Sequence, residues 1–279
     1  MPEGWNWDPT LFKGSAAYYA QGRMPYAPGF AEAMATSMDL DGRGRLLDVG
    51  CGPGIVTLAL ARYFEEAVGI DPDEGMLAEA RRLAGELGVN SVRWIQARAE
   101  DLPLGLAPIR VATFAQSFHW TDRDAVASTV FDMLVPDGKF VYLSDLKGPL
   151  ENPLPLPHPA PPTAEIDELV AQYLGSERRA GQGVLRQGTP DREDVVMTRA
   201  GFCGMQRLVV RGGIVLDRSP DDIVAWVFSV SKTAPHLFGP RLDEFERDLR
   251  ALLHRVSPDD VFSEQVRDTE IFIWTKPAG

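Results

Sequence analysis

The chain has 279 residues, enough to bury a hydrophobic core in one large α/β domain or two small ones. Its formal net charge of −12 argues against a nucleic-acid substrate, because binding to phosphate groups needs a basic surface. The two cysteines, Cys51 and Cys203, stand far apart and lack metal-ligand spacing, which argues against both a disulfide framework and structural zinc.

The start of the chain lacks the basic and apolar regions of a secretion signal, and no run approaches about 18 apolar residues. We therefore expect a cytoplasmic protein that does not span a membrane.

Short β-rich runs alternate with helical patterns from residue 43 onward, which is typical of a parallel sheet covered by helices. Strands are predicted at residues 45–49, 67–71, 92–97, 110–117 and 140–144. The helices between them are predicted at residues 55–64, 74–87 and 123–134, with a turn at 136–138.

The pattern changes after residue 145. Seven prolines between residues 146 and 162 predict an extended connector, because proline disfavours helices and central strands. Ser219 followed by Pro220 predicts the start of a helix, since serine caps helices and proline suits the first helical position. The remaining predictions are helices at 163–173 and 242–256 and strand regions at 205–216 and 270–276.

Residues 46–54 are the most informative stretch, because a strand ends there and Gly50, Gly52 and Gly54 precede the next helix. Glycine is needed where the backbone turns sharply or a ligand lies against the main chain. Nicotinamide dehydrogenases use G-x-G-x-x-G, whereas the spacing here is G-x-G-x-G and Asp48 precedes it. A carboxylate suits the positive charges of S-adenosylmethionine and would repel a pyrophosphate.

Asp71 ends the second predicted strand and is expected to bind the two hydroxyls of a ribose. The same pairing occurs in NAD enzymes, so this residue indicates nucleoside binding in general.

This combination resembles the class I S-adenosylmethionine-dependent methyltransferases along nearly the whole chain. Residues 46–54 resemble their first motif, residues 69–72 their second, and residues 99–103 the segment that contacts adenine. The resemblance implies S-adenosylmethionine as the cofactor. It also implies a Rossmann-like, doubly wound seven-stranded sheet whose last strand is antiparallel, with an N-terminal lid and a helical cap.

One branch of that family fits further residues. Residues 115–120 resemble the fourth motif of the trans-aconitate methyltransferase-like branch, and Phe12, Tyr19, Arg23 and Tyr26 resemble its lid over the cofactor. Tyr19 and Arg23 are then expected at the carboxylate end of the cofactor, with packing and surface roles as the alternative.

Three residues, Met24, Arg98 and Arg110, depart from the usual pattern of this branch. The complete set of expected cofactor-binding residues is Tyr19, Arg23, Asp48, Gly50, Cys51, Gly52, Gly54, Asp71, Pro72, Met76, Ala99, Glu100 and Gln116. Met76 is expected to pack on the adenine, or else in the core of its helix. For Glu100 the alternative is a solvated loop carboxylate.

His119 is the predicted catalytic residue. It follows the fourth predicted strand, and ligands bind beyond the carboxyl ends of strands in open α/β sheets. A hydroxyl or ammonium acceptor must lose a proton on methylation, and histidine titrates near neutral pH. The alternatives are a carboxylate acceptor, which needs no base, and a hydrogen bond from His119 to the cofactor or the backbone.

We expect a single methyltransferase domain that acts on a small molecule, at oxygen or nitrogen rather than carbon, without nucleic acid, membrane or metal. The expected division is a lid at residues 1–35, a cofactor-binding core at 36–145, a cap at 146–194 and 220–264, and last strands at 195–219 and 265–279. Two other classes stay open. They are a catalytically silent nucleoside-binding or interaction protein on the same fold, and a nicotinamide oxidoreductase, which the glycine spacing disfavours.

Overall fold

The structure is a computed structural model that describes residues 8–106, 108–176, 179–180, 183–184 and 192–278. The strands are β1 (Arg45–Val49), β2 (Glu66–Asp71), β3 (Val92–Gln96), β4 (Ile109–Ala115), β5 (Leu134–Asp145), β6 (Arg179–Ala180), β7 (Gly183–Val184), β8 (Cys203–Val210), β9 (Val215–Arg218), β10 (Phe262–Gln265) and β11 (Thr269–Thr275). The α-helices are α1 (Ala16–Gly22), α2 (Phe30–Ser37), α3 (Ile55–Leu60), α4 (Glu74–Glu86), α5 (Arg123–Met133), α6 (Thr163–Leu174), α7 (Glu193–Ala200), α8 (Pro220–Phe228) and α9 (Leu242–Val256).

Seven strands form one sheet in the order β3-β2-β1-β4-β5-β11-β8. Strands β1 to β5 pair in parallel, and β11 is antiparallel to both of its neighbours. This confirms the predicted doubly wound seven-stranded sheet with an antiparallel last strand. The strand order reverses between β1 and β4, which creates the switch point where open α/β sheets bind ligands.

Helices cover both faces of the sheet, as the almost continuous hydrophobic runs of its central strands require. On one face Leu47 and Phe114 pack against Val130 of α5, and all three are fully buried. On the other face Leu46 packs with Met34 of α2 and Leu60 of α3. Each such side chain contributes roughly 1.5–3 kcal/mol by leaving water.

Two element predictions were wrong. The predicted turn at residues 136–138 lies inside β5, where Asp137 takes a φ of 60° and the register with β4 shifts. The reason is that Asp137 N donates to Lys276 O and Lys276 N donates to Gly138 O, so the strand keeps its backbone partners. The predicted strand region at 205–216 is two strands, and β9 leaves the main sheet to pair with β10.

A third group of buried side chains lies outside the sheet and joins α6, α8 and α9. Amphipathic spacing places Phe245, Leu249 and Leu252 of α9 on one face, where the Phe245 and Phe238 rings stack at 4.1 Å. We call α6, α8 and α9 the helical layer. The predicted boundaries of lid, core and cap stay a prediction.

Helix α1 is fixed against α8 of the helical layer. The buried Ser15 hydroxyl donates to Phe228 O at 2.7 Å. A Cβ on Gly22 would lie 2.3 Å from the backbone of Ala225, so only glycine permits this approach between the two helices.

Arg218 completes the attachment of α1. This arginine is 6% exposed, and its Nη2 donates to Gly22 O at 2.8 Å and to Asp222 O at 3.0 Å. Its Nη1 lies 3.1 Å from Glu264 Oε2. One buried cation therefore joins α1, α8 and β10.

Arg218→Met should lower the free energy of unfolding by about 2–4 kcal/mol, because two carbonyl groups and a carboxylate lose a buried donor. Urea unfolding followed by circular dichroism measures the change. Arg207→Met is the matched control, since Arg207 pairs with Glu270 with its side chain 49% exposed and should cost less than about 1 kcal/mol. Equal losses in the two variants would contradict a special role for Arg218.

Candidate functional site

A cleft of about 880 Å³, counted with its open mouth, lies at the carboxyl ends of β1, β2 and β4. Its walls are Pro9, Leu11, Phe12, Tyr19, Val49, Gly50, Gly52, Asp71, Pro72, Asp73, Met76, Arg98, Ala99, Glu100, Ala115, Gln116, Ser117, Trp120 and Thr121.

The cleft brings together most of the predicted site residues. Those that line it are Tyr19, Gly50, Gly52, Asp71, Pro72, Met76, Ala99, Glu100 and Gln116. Those that do not are Arg23, Asp48, Cys51, Gly54 and His119.

The three glycines of the loop after β1 serve different purposes. Gly52 has a φ of 54°, and a Cβ there would meet no atom within 4 Å, so its backbone borders open space in the cleft. A Cβ on Gly50 would lie 2.6 Å from Ser117 Cβ, and one on Gly54 would lie 2.4 Å from the Trp94 ring. Gly50 and Gly54 are therefore required by protein packing, and Gly52 leaves room for a ligand.

Asp71 is hydrogen-bonded to the same loop. Its Oδ2 accepts from Gly52 N at 2.8 Å and its Oδ1 accepts from Asp73 N at 2.9 Å. Burial raises the pKa of this carboxyl to about 6, and the two backbone hydrogen bonds oppose that rise. Each oxygen of an ionised carboxylate can accept a further hydrogen bond, so Asp71 can hold two ligand hydroxyls.

Asp48 lies beneath the cleft and not on its surface. It has no exposed area, and it accepts from Thr57 Oγ1 at 2.5 Å and Thr113 Oγ1 at 2.7 Å. Burial raises the pKa of this carboxyl, and the hydroxyl hydrogen bonds oppose the rise. Asp48 is therefore not placed to contact the charged groups of a cofactor directly.

Cys51 also points away from the cleft. Its Sγ lies 3.0 Å from where a Cβ on Gly69 would stand, which places the thiol against β2. Burial raises the pKa of this thiol well above its usual value.

Met76, Ala99 and Glu100 form one end of the cleft. Met76 and Ala99 are buried and give an apolar wall. Glu100 Oε1 accepts from Asp122 N at 2.9 Å, and Glu100 Oε2 lies 3.1 Å from Arg98 Nη2. This carboxylate is thus tied to the start of α5 and is not simply solvated.

Tyr19 and Gln116 contribute polar groups to the cleft. The guanidinium of Arg23 lies 4.8 Å from the centre of the Tyr19 ring, and its Nη2 donates to Ser229 O at 3.0 Å. Arg23 Nε is buried and has no hydrogen-bond partner among the described residues. Gln116 has a φ of 54°, which is unusual for a residue with a side chain.

His119 lies in a short 3-10 helix, Phe118–Trp120. Phe118 is fully buried in the core and Trp120 lines the cleft, whereas His119 is half-buried, with its ring 4.8 Å from that of Trp120. The role of His119 as a base stays a prediction.

Ser117 was not predicted as a site residue although a signal existed, whereas Trp120 was expected beside His119 just past the fourth strand. Ser117 and Trp120 belong to the segment 115–120, and Ser117 Oγ donates to Val49 O at 2.5 Å, which joins the ends of β4 and β1. No sequence pattern predicted that Pro9 and Leu11 line the cleft, because their position depends on how the start of the chain folds back onto the sheet.

No helix within the described ranges is long and apolar enough to span a bilayer. In the same part of the chain, no three or more His, Cys, Asp or Glu side chains are grouped so that they could hold a metal ion.

Residues 46–138 match the sequence profile of a family described as a methyltransferase domain. Among curated relatives, a probable S-adenosylmethionine-dependent methyltransferase of Saccharomyces cerevisiae is 33% identical over 36% of this chain and 35% of its own length. The uncharacterized methyltransferase YcgJ of Bacillus subtilis is 31% identical over 45% of each chain. A ubiquinone biosynthesis O-methyltransferase of Azorhizobium caulinodans is 43% identical over 21% of this chain and 22% of its own length.

These alignments span less than half the length of each curated relative. The crystal structure of YcgJ covers 89% of this chain and 98% of its own, with a TM-score of 0.53 and 20% identity, which shows a shared fold. Residues 46–138 of the chain therefore match a methyltransferase domain, and the chain shares the fold of YcgJ.

Proposed function

We propose that the protein transfers the methyl group of S-adenosylmethionine to a small-molecule acceptor. The observation that carries this proposal is the hydrogen bond between Gly52 N and Asp71 Oδ2 inside the cleft. This hydrogen bond joins an open stretch of glycine backbone to a carboxylate at the end of β2. The carboxylate can accept hydrogen bonds from an uncharged ribose, and its negative charge suits a cationic group next to that ribose.

The same hydrogen bond argues against a dinucleotide cofactor. A pyrophosphate needs free backbone N–H groups at the start of a helix. Here Gly52 N donates to Asp71, Gly54 N donates to Cys51 O, and Cys51 N donates to Ile70 O. Three N–H groups of the loop are therefore already used, and the carboxylate of Asp71 repels a phosphate.

The residues of the cleft fit S-adenosylmethionine from end to end. Asp71 would accept the ribose hydroxyls, and Met76 with Ala99 would cover the adenine. Gly52 leaves the space in which the chain from ribose to sulfur would run, and Tyr19 stands where the amino-acid portion would end.

When bound, S-adenosylmethionine supplies an electrophilic methyl group on a positively charged sulfur. The protein's part is to align the acceptor with the carbon–sulfur bond and to exclude water, and such alignment supplies much of the acceleration. An acceptor hydroxyl or ammonium also has to lose a proton, for which His119 stays the predicted base. Methylation at oxygen or nitrogen and the trans-aconitate methyltransferase-like branch stay predictions as well.

Two observations favour a small-molecule acceptor. One relative is named a ubiquinone biosynthesis O-methyltransferase. The net charge of −12 disfavours nucleic acid. A catalytically silent protein on this fold is the other candidate, since a complete cofactor cleft does not by itself require turnover.

Two measurements test the proposal. Calorimetry should show binding of S-adenosylhomocysteine and no binding of NAD or NADP at the same concentrations. Transfer of labelled methyl from S-adenosylmethionine to a panel of small hydroxyl and amine acceptors should then give product. Binding without any transfer would support the silent alternative, and binding of NAD alone would overturn the proposal.

Gly52→Ala should weaken S-adenosylhomocysteine binding at least tenfold, because the new methyl group enters the space that the ligand would occupy. It should also cost about 1–3 kcal/mol of stability through its left-handed backbone. Gly88→Ala is the matched control, because Gly88 has a φ of 67°, equally open surroundings and no place in the cleft. Both variants should lose similar stability, and only Gly52→Ala should bind S-adenosylhomocysteine more weakly. Unchanged binding in Gly52→Ala would contradict the place of Gly52 beside the ligand.

The affinity for S-adenosylhomocysteine should fall about tenfold between pH 7 and pH 5. The pKa of Asp71 is raised to about 6, so its carboxylate is ionised above that pH and is lost as an acceptor when it is protonated below it. Calorimetry at several pH values measures the effect. Asp71→Asn should bind more weakly at pH 7 and lose this pH dependence, and an unchanged profile in the variant would remove Asp71 from the ligand contact.

A further inference from the structure

Asp145 lies at the end of β5, beside the loop that follows β4. Gln116 N donates to Leu143 O at 3.0 Å, which holds the end of β4 against β5. Gln116 Nε2 then donates to Asp145 Oδ2 at 3.2 Å. Gln116 lines the cleft and Asp145 is half-buried beside it, so the carboxylate can act on the cleft through the amide.

The carboxylate determines which way the Gln116 amide points. An ionised carboxylate only accepts hydrogen bonds, so it selects the amide nitrogen as its neighbour. The amide oxygen Oε1 is then directed away from Asp145, and the amide also hydrogen-bonds the buried Tyr26 hydroxyl, to which it acts as a donor. Gln116 has a φ of 54°, and such a strained left-handed backbone at a non-glycine residue is often found at ligand sites.

A positive charge accompanies this acceptor. Burial raises the pKa of Asp145, and the charges of Arg23 and Arg267 oppose the rise, so these groups are close enough to interact. Arg23 also has a buried Nε without a partner among the described residues, and it stacks on Tyr19 of the cleft wall. The region thus combines a donor for a carboxylate with an acceptor for an ammonium group, which is what the zwitterion of an α-amino acid needs.

We propose that Asp145 is a positioning residue, which orients the Gln116 amide so that Oε1 accepts a hydrogen bond from the ammonium group of the cofactor's methionine portion. Arg23, which the family resemblance already places at the carboxylate of the same portion, would be its counterpart. This inference rests on the proposed function and assigns the amino-acid end of its site.

Two ligands separate this role from a general effect on the cleft. S-adenosylhomocysteine carries the amino-acid portion, and methylthioadenosine is the same nucleoside thioether without it. Asp145→Asn keeps the shape of the side chain but lets the Gln116 amide adopt either orientation. Calorimetry should show about tenfold weaker binding of S-adenosylhomocysteine, the size expected for a hydrogen bond to a charged group, and unchanged binding of methylthioadenosine.

Glu270→Gln is the matched control, because Glu270 pairs with Ser144 and its side chain lies on the opposite face from Asp145. It removes the same charge and should change neither affinity. Gln116→Leu should reproduce the selective loss, and the double variant Asp145→Asn, Gln116→Leu should bind no more weakly than Gln116→Leu alone, since Asp145 acts through Gln116.

Additive losses in the double variant, or equal losses for both ligands in Asp145→Asn, would overturn the role of Asp145. Wild-type protein that binds methylthioadenosine but not S-adenosylhomocysteine would overturn it too. Wild-type protein that binds neither ligand would overturn the proposed function, and this inference with it.

Discussion

The buried carboxylate of Asp48 joins the elements around which the cleft is built. It stands on β1 and accepts hydrogen bonds from Thr57 on α3 and Thr113 on β4. These hydroxyls satisfy a group that would otherwise be costly to bury. The glycine loop lies between β1 and α3, so its path across the switch point of the sheet is fixed from below.

Because the glycine loop is fixed in this way, it presents backbone atoms and no side chains to the cleft. Gly52 borders open space, and its N–H holds Asp71 in place from the neighbouring strand. Asp71 in turn carries a raised pKa because this packing buries it. This part of the cleft therefore follows from two carboxylates with different tasks: Asp48 fixes the loop from below, and Asp71 faces the cleft.

The sequence was most informative where structure depends on local patterns. The bounds of β1 and α9 agree with their predictions to the residue, since a glycine turn and an amphipathic repeat mark them. It was least informative where an orientation depends on distant partners. From the sequence alone, Asp48 is expected to contact the ligand. In the structure, the hydroxyl of Thr113, 65 positions away along the chain, donates a hydrogen bond to Asp48 instead. The 3-10 helix after β4 likewise turns Trp120 and not His119 into the cleft wall, because Phe118 is anchored in the core.

The two ends of the cleft are held by different parts of the molecule. Asp71, Met76 and Ala99 belong to the methyltransferase domain matched at residues 46–138. Tyr19 belongs to α1, which Arg218 and Ser15 fasten to the helical layer. Tyr19 of the cleft wall is therefore tied to the helical layer, whereas Asp71 is tied to the sheet. Because α8 and α9 follow the last parallel strand, segments outside residues 46–138 thereby fix part of the cleft wall.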